Sequence, residues 1–89
     1  MDRWQKSARV VQAEMAPGEA ALLHLGTGQY HALNEVGTRI WALLAEPSSL
    51  GEICAVLCAE YEVDAERCTT EVVNYLGVLH GAQLIEPAP

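Results

Sequence analysis

The run Ala21-Leu22-Leu23-His24-Leu25-Gly26-Thr27-Gly28-Gln29-Tyr30-His31-Ala32-Leu33-Asn34 decides the architecture. Alternation along its first five residues puts Ala21, Leu23 and Leu25 on one face of a strand and Leu22 and His24 on the other. Gly26-Thr27-Gly28 supplies residues that tolerate the positive φ of a tight hairpin. Gln29 to Leu33 then reads as the returning strand. Upstream, Ala8 to Met15 reads as a further strand, separated by the turn signal Pro17-Gly18. The three form an antiparallel meander.

After Asn34 the apolar period changes from that of a strand to that of a helix. Asn34 can accept an N–H of a first helical turn, and Val36, Ile40, Leu43 and Leu44 recur at helical spacing with Trp41 beside them. Pro47 ends that segment. Ser49 and Glu52 make the Ser-x-x-Glu pattern of a capping box, heading a helix striped by Ile53, Val56 and Leu57 with Tyr61 near its end. Asp64 caps a third helix, whose Ala65, Cys68, Val72, Leu76 and Leu79 share one face at about 100° per residue. Gly81 suits the left-handed position past a helix end, and Gln83 to Glu86 can extend.

Strands followed by helices with short connections predict one α+β domain over residues 8–86: a three-stranded antiparallel sheet, then three helices, in a winged helix-turn-helix-like arrangement. Residues 1–7 and 87–89 read as flexible tails. No internal repeat or low-complexity tract is visible.

Twelve acids against five bases give a net charge of −7. Nucleic-acid binders gain affinity by neutralising phosphates, so this balance disfavours DNA, RNA and anionic lipid surfaces. A winged-helix DNA-binding regulator is the alternative that the fold itself raises. It would need a basic recognition helix, whereas the third helix offers Asp64, Glu66 and Glu71 against Arg67. No apolar run reaches the ~18 residues that span a bilayer, and the N-terminus lacks the apolar stretch of a signal peptide, so a cytoplasmic location is expected.

The three histidines, His24, His31 and His80, have no carboxylate at an informative spacing, and the serines read as tail and capping residues. No catalytic residue, cofactor or enzymatic role is therefore assigned. Cys54 and Cys58 are four apart and could share a zinc site with Cys68. Without CxxC or HxxxH pairs, buried reduced thiols are the better reading. Gly26-Thr27-Gly28 precedes a strand and lacks the helix N-terminus that would hold phosphate.

Two features exceed what core-building needs. Val73 and Val78 lie off the main stripe of the third helix. The strand Gln29 to Leu33 can be a sheet edge, yet it carries no Pro, Lys or charge to blunt it. An unprotected edge beside an apolar helix describes a site for strand addition.

Gly28-x-Tyr30-x-x-Leu33-Asn34-x-x-Gly37-x-x-Ile40-Trp41-x-Leu43-Leu44 resembles the signature of PqqD-like proteins. So do Ile53, the stretch Glu60 to Asp64, and Val72, Leu76, Leu79, Gly81 and Leu84-Ile85. The similarity runs from Ala20 to Glu86. Such proteins are RiPP recognition elements, which bind the leader segment of a ribosomally made precursor peptide and present it to a processing enzyme. The chain resembles in particular the stand-alone B1 proteins of lasso-peptide pathways, although PQQ-type and sactipeptide pathways use the same domain. The resemblance implies a separate leader peptidase of the B2 cysteine-protease kind as partner; the residues themselves point to no metal and no cofactor, and an unprotected edge that can pair with its own copy leaves a monomer or weak homodimer. It implies that the leader adds as a strand beside Gln29, Tyr30, His31, Ala32 and Leu33. The leader would then pack against Thr69, Val72, Val73 and Leu76.

Overall fold

A computed structural model describes residues 3–17 and 19–89. In chain order the elements are β1 (Arg3–Lys6), β2 (Val10–Ala16), β3 (Glu19–His24), β4 (Tyr30–Leu33), α1 (Glu35–Leu43), β5 (Ser48–Ser49), α2 (Leu50–Glu60), α3 (Ala65–Gly81) and β6 (Ile85–Pro87). This is the expected α+β arrangement of a meander followed by three helices. A second small sheet is added to it.

The meander has the order β2-β3-β4 and is antiparallel throughout. Gly28 takes φ +74° in the β3–β4 turn, the left-handed conformation the sequence reserved for it. His24 organises the same turn. Its buried ring accepts, through Nδ1, the backbone N–H groups of Gly26 (3.0 Å) and Thr27 (3.1 Å). The inward face of β3 is Ala20, Leu22 and His24, while Ala21 and Leu23 face outward.

Each helix starts at a cap legible in the sequence. The Asn34 side chain accepts from Gly37 N–H at 2.8 Å, and Asp64 accepts from Arg67 N–H at 3.2 Å. Ser49 and Glu52 complete the capping box in both directions. Burial of Leu22 from the sheet, Leu44, Ile53 and Leu79 from the helical part, and Leu84 and Ile85 beyond α3 closes one core. Each such side chain contributes about 1.5–3 kcal/mol. Trp41 enters the same core and donates its indole N–H to Gln12 Oε1 on β2 at 3.0 Å, which ties α1 to the sheet.

The expected tails need correcting. Arg3 to Lys6 form β1, the centre of a sheet ordered β5-β1-β6, with Trp4 opposite both Ser48 and Pro87. Pro87 belongs to β6, and Ala88 N–H donates to Arg3 O at 2.8 Å. Met1 and Asp2 lie outside the described residues, as does Gly18 of the expected turn. The polar-looking N-terminus concealed two anchors. The Trp4 ring lies 4.9 Å from that of His80, and the Lys6 ammonium sits 4.8 Å from the centre of the Trp41 ring. Long basic side chains can cover apolar surface in this way while keeping their charge. Burial lowers the Lys6 pKa. A second correction concerns the end of α3: Gly81 is its last residue, and the positive φ (63°) falls on Gln83.

Candidate functional site

β4 pairs with β3 along one side, and among the described residues no strand lies along the other. His24 N–H donates to Gln29 O at 3.0 Å, which fixes the phase of the ladder. Antiparallel pairing alternates, and the register sets Leu23 opposite Tyr30 and Leu22 opposite His31. Gln29, His31 and Leu33 therefore turn their backbone groups toward β3. Tyr30 and Ala32 turn theirs outward, where a guest strand could pair.

Side chains alternate in the same rhythm. Leu33 is buried in the core, and His31 is half-buried on that inner face opposite Leu22. Tyr30, 71% exposed, stands on the outer face of the sheet opposite Leu23, and Ala32 stands opposite Ala21. Tyr30 and Leu33 do point to opposite faces, as their spacing requires.

Where β4 runs into α1 there is a predominantly apolar cavity of about 320 Å³. Asn34, Val36, Gly37 and Ile40 form one wall, and Cys68, Glu71, Val72 and Tyr75 of α3 form the other. Leu57, Tyr61 and Val63 close the end. Val36 and Val63 are exposed at the rim. Tyr75 is half-buried, and loss of hydration raises the pKa of its phenol, keeping it a neutral donor. Arg39 of α1 grips Glu60 of α2 with two hydrogen bonds, Nε to Oε1 at 2.7 Å and Nη2 to Oε2 at 2.5 Å. That contact ties α1 to the end of α2, and the Arg39 guanidinium holds the Glu60 carboxyl below its usual range.

The nine residues singled out in the sequence do not form one surface. Gln29 to Leu33 lie together on or next to β4. On α3, Val72 lines the cavity but is 3% exposed, so it belongs chiefly to the core. Val73 and Leu76 face a different hollow of about 470 Å³ on the other flank of α3, bounded by Trp4, Leu50, Gly77 and His80. Thr69 is exposed, lines neither cavity, and donates its hydroxyl to Ala65 O at 2.9 Å within its own helix. The α3 flank that borders the β4 side of the domain is instead Glu71 and Tyr75. These residues, with Val36 and Val63, were not among the nine. The signal for them was present, because Glu71 and Tyr75 are one helical turn apart and lie on the same side of the Cys68–Val72–Leu79 stripe.

Chemistry elsewhere is sparse. Among the described residues no group of His, Cys, Asp and Glu is arranged to hold a metal ion. The Cys68 thiol, buried between α2 and α3 beside Cys58 and Cys54, is pushed up to about 12, chiefly by burial. It therefore stays protonated. No helix among the described residues is long and apolar enough to cross a membrane.

This strand edge and cavity can be set beside known proteins. A structure described as "TbiB1 in Complex with the TbiA(beta) Leader Peptide" is similar over 96% of this chain and 98% of that one, with 39% identity and a TM-score of 0.86. A second, "Lasso peptide synthetase B1 complexed with the leader peptide", shares the fold at TM-score 0.82 and 21% identity, over 94% and 98% of the two chains. No curated protein matches the chain. The family described as "Coenzyme PQQ synthesis protein D (PqqD)" matches residues 19–85, from the start of β3 to the start of β6. The chain belongs to the PqqD family.

Proposed function

We propose that this protein is a RiPP recognition element that binds the leader segment of a precursor peptide and delivers it to a separate processing enzyme. The observation that carries this reading is the β4 edge, whose outward groups at Tyr30 and Ala32 open beside the apolar cavity between α1 and α3. Backbone pairing supplies affinity with little regard to sequence, and the cavity selects an apolar or aromatic leader side chain. The likeness to TbiB1, solved in complex with a leader peptide, supports the same reading, and the resemblance of this chain's residues to stand-alone B1 proteins favours a lasso-peptide pathway.

In this role the chain performs no chemistry of its own. A leader peptidase of the B2 cysteine-protease kind is the partner it would serve, in the cytoplasm. Ordering a flexible leader opposes binding by ~2–5 kcal/mol, so affinities around micromolar are expected.

The test is titration of a fluorescently labelled synthetic leader peptide. It should bind one per chain, and Val36→Lys should weaken it at least about tenfold while circular dichroism stays native. Val36 suits this purpose because it is 43% exposed. An acid at buried Val72 would instead test whether the core survives. Failure of the leader to bind, together with a shift of duplex DNA at low salt, would favour the winged-helix regulator over this reading.

A further inference from the structure

The meander has a second edge that leader binding leaves unused. β2 spans seven residues, VVQAEMA, and all but Val10 are exposed. Among the described residues it pairs only with β3. Its single charge is Glu14, which makes no ion pair among the described residues.

The ladder fixes which groups β2 offers. Leu25 N–H donates to Arg9 O at 2.8 Å, so Arg9, Val11 and Ala13 face β3. Val10, Gln12 and Glu14 turn their backbone N–H and C=O groups outward. A symmetric antiparallel pair must set outward residues opposite outward residues. Centres at Gln12, Ala13 and Glu14 all satisfy this, so side chains decide among them.

Centring on Glu14 opposes two like charges, which is unfavourable. Centring on Gln12 leaves each Glu14 opposite Val10 of the other copy. Centring on Ala13 sets Gln12 opposite Glu14 twice, within the regular part of β2 that precedes the bulge between Glu14 and Ala16. The Gln12 side-chain oxygen is already taken by Trp41, which leaves its amide N–H groups to donate to the facing carboxylate. Ala13 meets itself at a non-hydrogen-bonded pair, where backbones approach to about 4.5 Å and a methyl group fits.

We propose that β2 is a self-association edge, at which two copies pair antiparallel about a twofold axis through Ala13 to make one six-stranded sheet. The interface is isologous, as closed dimers require. It joins the apolar outer faces of the two meanders, Val11, Ala13 and Leu23 from each. One strand pair buries less surface than a permanent dimer needs, so association is weak and depends on concentration. Both β4 edges remain at the ends of the sheet, free for peptide. The proposal does not depend on what those edges bind.

Sedimentation equilibrium of the whole chain, up to about 1 mM, tests this. The average mass should rise toward twice that of the monomer. Ala13→Lys, an exposed position that leaves β3 pairing intact, should weaken association at least about tenfold by opposing two ammonium groups at the axis. Ala13→Cys should form a covalent dimer under mild oxidation, well above the wild-type background, and Glu14→Cys should not. A chain that stays monomeric throughout, an Ala13→Lys variant that associates like wild type, or cross-linking that favours position 14 would overturn the proposal.

Discussion

The hydroxyl of Tyr75 on α3 occupies the space above Gly37 in the first turn of α1, where a Cβ would overlap it. Gly37 is therefore what lets the α1 and α3 walls of the cavity approach each other at this end. Gly37→Ala should displace the phenol ring and destabilise the fold by about 1–3 kcal/mol, as overpacking does. It should weaken leader binding as well. Adding Tyr75→Phe removes the overlapping oxygen, so the double variant should recover part of the lost stability. Urea unfolding of the single and double variants measures that coupling.

Proline along β4 should separate fold from function. At Ala32 it removes an outward N–H, so leader affinity falls while thermal stability changes little. At His31 it removes an N–H directed at β3, so the melting temperature itself falls. Thermal melts and peptide titrations on the same samples read both effects. Equal responses at the two positions would contradict strand addition.

The capping box of α2 makes a prediction about pH. Ser49→Ala should cost about 1 kcal/mol, or roughly 5 °C in melting temperature. The Glu52 carboxyl is held below its usual range, chiefly by the backbone N–H of Ser49 and then by its hydroxyl and Arg3. A lowered folded-state pKa gives stability that is present above the ordinary carboxylate range and is lost as pH falls through the depressed value. The deficit of Glu52→Gln should therefore be widest near neutrality and close under acid, as thermal melts across pH would show.

Most of this fold is legible in the sequence. Asn34, Ser49 and Asp64 announced the three helices because caps are local chemistry, and Gly28 announced its turn for the same reason. β1 was not legible, because Arg3 to Lys6 have no strand pattern of their own. They are ordered by His80 and Trp41, far away in sequence. The candidate site is legible only in part. The bare edge of β4 follows from composition, but the choice of α3 flank does not. Val73 looked like the surplus apolar residue, whereas Glu71 and Tyr75 looked like ordinary polar surface. Only the placement of α1 against α3 distinguishes the two sides.

The thiols should react in order of access. Cys58 is half-buried and Cys54 and Cys68 are buried. Alkylation of the native protein, followed by peptide mass spectrometry, should label Cys58 first and Cys68 last. Because the folded-state pKa of Cys68 is raised to about 12, folding holds a proton that the unfolded chain releases earlier. Stability should fall as pH climbs from the ordinary thiol range toward that value. Cys68→Ala should blunt this fall.

The hydrogen bond from Ala88 to Arg3, across the pairing of β1 with β6, brings two distant parts of the chain to one spot on the surface. A polypeptide attached at either place would depart from a common point. The domain could thus be spliced into a surface loop of a larger enzyme with little distortion of the host, or be circularly permuted by a short bridge. Such a graft would carry the β4 edge with it, as an open strand border built into the host.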